Sequence, residues 1–290
     1  METTSTTTNN TTLQSELFLE LNEEHESDDT HDIRSVRSTF KFKRQSNKPC
    51  PEQLSIDEDG DLVVRRSPLA KGIIIEHINR TSLNMVGMQV WRSALLMGDF
   101  ILENRDIFNN DQIVLELGSG VGLTGIVAAM CCKEIIFTDI NNKEILSMIE
   151  KNINLNQDLI VSRTTVMPLN FNEPELLSDA LCEKLKNIQI IIAADVIYDN
   201  YITEQFVNTL KKLMSISPRK TAYIGMEKRY VFSSVDLEVC APCYEYFIDL
   251  LSQNNNWCQV QLLDCNFPQY FQYNKAKELV IFKLTANHSV

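Results

Sequence analysis

Long apolar runs are missing from this chain: no stretch of about 18 uncharged apolar residues occurs, so no bilayer-crossing helix is expected. The opening residues are Thr, Asn, Ser and acids rather than a basic and then apolar leader. That predicts an intracellular protein, free of membranes, in the nucleus, the cytoplasm or both. Positive charge is scarce as well. With 27 Lys and Arg against 39 Asp and Glu, the formal net charge is −12. This disfavours direct adhesion to nucleic acid and suits a basic protein or peptide partner. Histidine is rarer still, at four residues, with His25 and His31 near the start and His288 near the end. A Ser/His/Asp hydrolase therefore lacks material. A second short cysteine knuckle is also lacking. Cys240 and Cys243 form a C-x-x-C, but Cys258 and Cys265 downstream are spaced too widely to repeat it, so no metal is expected. The eight cysteines read as reduced residues, Cys131 and Cys132 within an apolar helix.

What remains is enough for a sizeable core, with 290 residues of which 44% are hydrophobic. Residues 1–50 combine a Thr/Asn-rich start, an acidic stretch from Glu16 to Asp29 and scattered bases from Arg34 to Lys48. So little apolar content predicts a disordered low-complexity tail, with the folded domain over 51–290. Leu62–Arg65 and Gly72–His77 are short β-branched runs, expected to form an N-terminal hairpin extension. A helix is expected over 87–104, where Val90, Ala94, Leu95, Met97 and Ile101 recur near helical spacing.

From Ile113 onward strands and helices alternate. Strands are expected over 113–117, 134–138, 164–168, 188–194 and 221–226, and helices over 123–131, 143–155, 174–186 and 202–214. Continuous apolar strands between amphipathic helices predict a parallel sheet covered on both faces. The ending departs from this rule. After a helix over 240–251, the runs 257–263 and 277–284 are joined without a helical pattern, so the last strand is expected to run antiparallel. The fold class is α/β: a Rossmann-like, seven-stranded, mostly parallel sheet with helices on both faces and a C-terminal antiparallel β-hairpin edge.

Two stretches carry chemistry. The first is V-L-E-L-G-S-G-V-G-L-T-G, Val114 to Gly125, a strand, a glycine turn and a helix start. Glycines admit close backbone approach to a ligand, and the first helical turn presents free N–H groups. Gly120 to Gly125 satisfies G-x-G-x-x-G, so a nicotinamide dinucleotide competes here. Asp139, at the end of the next strand, suits a ribose diol in either case. Glu116 discriminates, because a carboxylate at the strand end opposes a pyrophosphate and favours a ligand bearing an ammonium or sulfonium group. S-adenosylmethionine carries both. The second stretch is I-I-A-A-D-V-I-Y-D, Ile191 to Asp199. It places Asp195 and Tyr198 at the carboxyl end of a buried strand, where open α/β sheets put ligands. The plainer alternative is that Asp195 caps the following helix.

The E-L-G-S-G-V-G loop, T-D-I at 138–140, D-V-I-Y at 195–198 and the lead-in M-V-G-M-Q-V-W ending at Trp91 resemble the seven-β-strand methyltransferases. Within them, the likeness is to the protein-lysine methyltransferases marked by D-x-x-Y, over roughly residues 60–285. Val231–Tyr246, with Glu227-Lys228-Arg229 before it, is similar to one branch of that family. The resemblance implies S-adenosylmethionine as cofactor and the ε-amine of a lysine in a protein as substrate; a monomer is expected. It implies that Trp91 lines the methionine end with Glu116, Gly118 and Gly120 around it, and that Asp139 binds the ribose. Asn170 and Phe171 flank the adenine, where many family members carry Asp-Trp. Ala194 is the close backbone contact, and Asp195 and Tyr198 face the incoming amine. A small-molecule amine methyltransferase, a nicotinamide oxidoreductase and a non-catalytic binding module are the alternatives.

Overall fold

Residues 13–17, 35–42, 72–173, 177–233, 238–253 and 256–287 are described by a computed structural model. In chain order its elements are β1 (Leu13–Gln14), β2 (Ser35–Lys41), β3 (Gly72–Ile78), β4 (Arg80–Thr81), a 3-10 segment (Leu83–Met88) and α1 (Arg92–Glu103). Then come β5 (Ile113–Leu117), α2 (Leu123–Ala129), β6 (Glu134–Asp139), α3 (Lys143–Leu155), β7 (Arg163–Pro168), α4 (Asp179–Leu185) and β8 (Ile190–Ala194). The chain continues with α5 (Asn200–Ser215), β9 (Thr221–Glu227), β10 (Val231–Ser233), β11 (Glu238–Cys240), α6 (Pro242–Gln253), β12 (Cys258–Leu262) and β13 (Leu279–Ala286).

The main sheet has seven strands in the order β12-β13-β9-β8-β5-β6-β7. β5, β6, β7, β8 and β9 pair in parallel, whereas β13 runs antiparallel to both β9 and β12, the edge hairpin expected from the sequence. Side chains on a strand alternate between faces. Val114 and Ile192 therefore join one apolar cluster with Leu95, Met97 and Ile126, while Leu115 and Ile191 join the other with Phe206, Leu210 and Phe247. The chain enters at central β5, winds outward to β7 and returns to β8 on the other side. The crevice between the carboxyl ends of β5 and β8 is thus the topological switch point, where such sheets bind ligands.

The N-terminal region corrects the sequence expectation. Two stretches assigned to a tail are strands: β2 pairs antiparallel with β3, from Ser35 opposite Ile78 to Lys41 opposite Gly72, and β1 pairs with β4. The strand paired with 72–78 is β2, and Leu62–Arg65, expected as its hairpin partner, lies outside the described residues. Composition misled because β2 is half exposed: S-V-R-S-T-F-K buries little until Phe40, while Phe42 and Leu17 are buried apolar anchors within a mostly polar region. The free edge of β3 is satisfied by a helix. Asn152 and Asn156, one turn apart on α3, accept from Glu76 N and Ile74 N and donate to the carbonyls of the same residues. Each side-chain amide thus replaces one rung of a missing strand.

Smaller differences are local. The helix expected over 87–104 breaks at Val90 and Trp91, and the residues before it form a 3-10 turn whose Gly87 carbonyl lies against Gly120. α4 begins only at Asp179, where Ser178 accepts from Leu181 N as a cap. Buried Asp99 on α1 holds the loop before β13 by accepting from Tyr270 N, Phe271 N and Tyr273 Oη, and burial pushes its carboxyl up to about 6. Among the described residues no helix is long and apolar enough to cross a membrane.

Candidate active site

β5 ends in Glu116 and Leu117, and the chain then turns through Gly118 and Gly120 with φ of +65° and +54°. A side chain at either position is doubly opposed. The left-handed backbone disfavours it, and a Cβ would stand 2.7 Å from Val196 Cγ1 at Gly118 or 2.7 Å from the Gly87 carbonyl oxygen at Gly120. Asp139, at the end of neighbouring β6, steadies the turn. Its Oδ2 accepts from Gly120 N at 2.7 Å and its Oδ1 from Ile140 N at 2.8 Å.

Glu116 is the electrostatic centre of this corner. Its side chain is almost fully buried, and Oε2 has no hydrogen-bond partner. Burial pushes its carboxyl up to about 8, against the opposing help of Ser119 and the Gly125 backbone and with a further push from Asp139. Without a cationic ligand Glu116 is therefore mostly protonated at neutral pH, and a cation entering the corner would favour its ionised form.

A cleft of about 350 Å³ opens over this turn. It is lined by every site residue expected from the sequence: Trp91, Glu116, Gly118, Gly120, Asp139, Asn170, Phe171, Ala194, Asp195 and Tyr198. Phe171 is propped edge-on by Phe206 at 5.4 Å between centroids, and Asn170 Oδ1 accepts from Asn172 N. Trp91 is fixed by donation from Nε1 to the Val86 carbonyl at 3.0 Å. Tyr198 is 38% exposed at the mouth. Burial and the neighbouring carboxylates of Asp139, Asp199 and Asp195 push its phenol up, so it keeps its proton at neutral pH.

Asp195 lines the cleft but is not a free carboxylate. Both its oxygens accept from Arg229, Oδ1 from Nη1 at 3.0 Å and Oδ2 from Nη2 at 2.7 Å, and its side chain is 4% exposed. Asp195 is also, among the described residues, the one non-glycine with positive φ, at 58°. Such strain persists where the surroundings over-determine it. The helix-capping alternative goes to Asp199 instead, whose Oδ1 accepts from Ile202 N at 3.0 Å.

Two residues here escaped the sequence reading. Arg229 pairs with Asp195 and lies over the Trp91 ring, 5.1 Å from its centroid. Burial works against its charge, but Asp195 first, then Glu16 and Glu227, hold its pKa above the ordinary guanidinium value. Its position just beyond β9, at the carboxyl end of a central strand, was the available signal. The same two segments are cross-braced by Arg92, which donates through Nε and Nη2 to Glu227. The second is Glu16, which lines the cleft and approaches Arg229 Nε at 3.8 Å. It was read with the acidic tail that it opens, although Leu13, Leu17, Phe18 and Leu19 beside it are apolar.

Comparison with known proteins shows the family. A family model described as lysine methyltransferase matches residues 73–241. The chain belongs to this lysine methyltransferase family. It is 30% identical to methyltransferase-like protein 22 of Mus musculus over 94% of this chain and 75% of that protein. The branch resembled by residues 227–246 is this one. Protein-lysine N-methyltransferase EEF2KMT of Mus musculus is 34% identical over 70% of this chain and 60% of its own length. A solved dimethyladenosine transferase from Plasmodium falciparum superposes with a TM-score of 0.41 at 15% identity, covering 66% of this chain and 61% of that one.

Family membership makes S-adenosylmethionine the cofactor, and the residues fit it. Gly118 and Gly120 keep the floor free of side chains, unpartnered Glu116 suits a cation, and Asp139 is held at the next strand end. A dinucleotide is not the cofactor of this family. The nicotinamide alternative therefore falls.

Proposed function

We propose that this protein transfers a methyl group from S-adenosylmethionine to the ε-amine of a lysine in a protein substrate. The observation that carries the reading is one cleft that joins the glycine corner, with its unpartnered Glu116, to Asp195 and Tyr198 at the end of β8. Trp91, Glu116, Gly118 and Gly120 surround the methionine end, Asp139 takes the ribose, Asn170 and Phe171 flank the adenine, and Ala194 is the close backbone contact. Asn170 meets an amino group through its carbonyl oxygen, and Phe171 packs on the ring. The protein-lysine activity named for EEF2KMT supports lysine as the acceptor. A formal charge of −12 favours a basic partner, and a monomer working in the nucleus or cytoplasm is consistent with this reading.

S-adenosylmethionine supplies a methyl group on a sulfonium, which leaves without acid assistance. What the protein has to do is hold the acceptor nitrogen in line and accept its deprotonation. A lysine has an unperturbed pKa of about 10.4, so the neutral amine is rare at pH 7. Protonated Tyr198 offers its phenolic oxygen as an acceptor to the nitrogen, and the Asp195–Arg229 pair fixes the strand end from which Tyr198 projects. Desolvation of the nitrogen as it enters the cleft then favours the uncharged amine, and its proton passes to solvent at the exposed mouth beside Tyr198.

Tritiated S-adenosylmethionine incubated with a lysate, wild type beside Tyr198→Phe, tests this directly. Label mapped to a lysine side chain and reduced in the variant is expected. Label confined to small molecules would transfer the reading to a small-amine methyltransferase, and cofactor binding with no label would leave a binding module.

A further inference from the structure

The pairing of Asp195 with Arg229 leaves the mouth of the cleft without the carboxylate assigned to the incoming amine, and a second carboxylate stands beside it. The Glu16 side chain is 37% exposed; its Oε1 lies 3.8 Å from Arg229 Nε, beyond hydrogen-bond range, while its Oε2 is enclosed with no partner among the described residues. A buried oxygen without a donor is costly unless a ligand supplies one. We propose that Glu16 is the carboxylate that receives an alkylammonium group at the mouth of the cleft, so that the N-terminal segment is part of the acceptor-amine site. This rests on the methyl-transfer reading above.

Charge and placement both favour it. Asp195, Arg229 and Glu16 together carry one net negative charge, which suits a monocation and repels an anion. Arg229 already takes both oxygens of Asp195, so the unmatched charge resides on Glu16. Nor is Glu16 a loose residue. Ser15 N donates to Gln89 Oε1 at 2.7 Å, and Gln89 Nε2 donates to the Leu13 carbonyl at 3.0 Å and to Thr81 Oγ1 at 2.7 Å. Leu17 on the other side is buried in the core. Gln89 thus clamps the segment two residues before Trp91, so one short stretch positions both the aromatic wall and the carboxylate. A site held this way is preorganised rather than assembled by the ligand.

An alkylammonium could come from the acceptor lysine or from the methionine end of the cofactor. Glu116 already provides a carboxylate oxygen without a partner at the glycine corner, whereas Glu16 meets Arg229 where that guanidinium holds Asp195 at the end of β8. The acceptor lysine is therefore the assigned partner. Its bond to Glu16 holds the ammonium in place before proton loss and does not itself remove the proton.

The test uses the full chain in three forms, wild type, Glu16→Gln and Glu16→Asp. Cofactor affinity is measured by calorimetry, and initial rates of tritium transfer are measured against increasing lysate at saturating cofactor. Glu16→Gln should raise the apparent KM for lysate protein about tenfold while kcat and cofactor Kd stay within about twofold, from loss of one charge-assisted hydrogen bond. Glu16→Asp should recover part of the loss, and added salt should raise the wild-type KM more than that of Glu16→Gln. An unchanged KM in Glu16→Gln overturns the assignment. Equal weakening of cofactor binding also overturns it, giving Glu16 to the cofactor's ammonium. If wild type binds cofactor and labels no lysine, the methyl-transfer reading fails first, and this inference with it.

Discussion

Around the glycine corner the cleft takes Glu116, Gly118 and Gly120 from one turn and Asp139 from the adjacent strand, whereas around Asp195 it gathers Glu16, Trp91 and Arg229 from three distant segments. The corner is held by local bonds: the Asp139 carboxylate accepts from Gly120 N and Ile140 N, and Ser119 Oγ accepts from Thr138 N. The other half is held by side chains meeting across the fold, through Arg229 on Asp195, Arg92 on Glu227 and Gln89 on β1. A site built from one turn and its neighbouring strand is fixed by residues near in the chain. A side-chain-built one can vary its substrate without disturbing the cofactor.

If that division is right, the corner should tolerate least. Gly120→Ala combines left-handed strain of about 1–3 kcal/mol with a clash on the Gly87 carbonyl, and cofactor affinity should fall about 100-fold or more by calorimetry. Normal binding by this variant would show that the turn is not a close-approach site.

Side-chain loss in the other half should appear first as lost stability. Asp195→Ala leaves Arg229 short of its partner and should cost about 2 kcal/mol in denaturant unfolding, at the lower end for such pairs because the guanidinium is partly in water. The double variant Asp195→Ala/Arg229→Met should regain most of it. A double variant as unstable as the single one would mean that the pair is not the source.

Glu116 gives the corner a pH signature. Its folded pKa near 8 lies above the ordinary carboxylate value, so the protein without ligand loses stability as pH rises from about 4.5 toward 8. A cationic ligand prefers the ionised form, so cofactor affinity should rise about fivefold between pH 7 and pH 8, with proton release on binding. Glu116→Gln should flatten that profile, and an unaltered slope would place the titrating group elsewhere. The smallest effect is expected at Phe171→Ala, about threefold in cofactor affinity through loss of ring packing.

The sheet was readable because continuous apolar strands and helical-period runs extend over many residues, and the order of elements limits the topology. Glycines 118 and 120 were readable because their need is local: a turn, and a ligand above it. Arg229 was visible only as a basic residue after a strand, since pairing with Asp195 depends on β8 and β9 being neighbours. β2 was hidden because its alternation is mostly polar, and it becomes a strand only where the edge of β3 is available.

By itself, then, the sequence determined the α/β alternation, the glycine corner and the carboxylates placed at strand ends, since each follows from interactions among residues near in the chain. Only the tertiary structure decided which of those carboxylates remains open to a cation. Asp195 is neutralised by Arg229 and Glu16 is brought back over the cleft by Gln89, both through contacts between residues that chain order keeps apart. Charge pairing depends on distance in space, and only folding sets that distance.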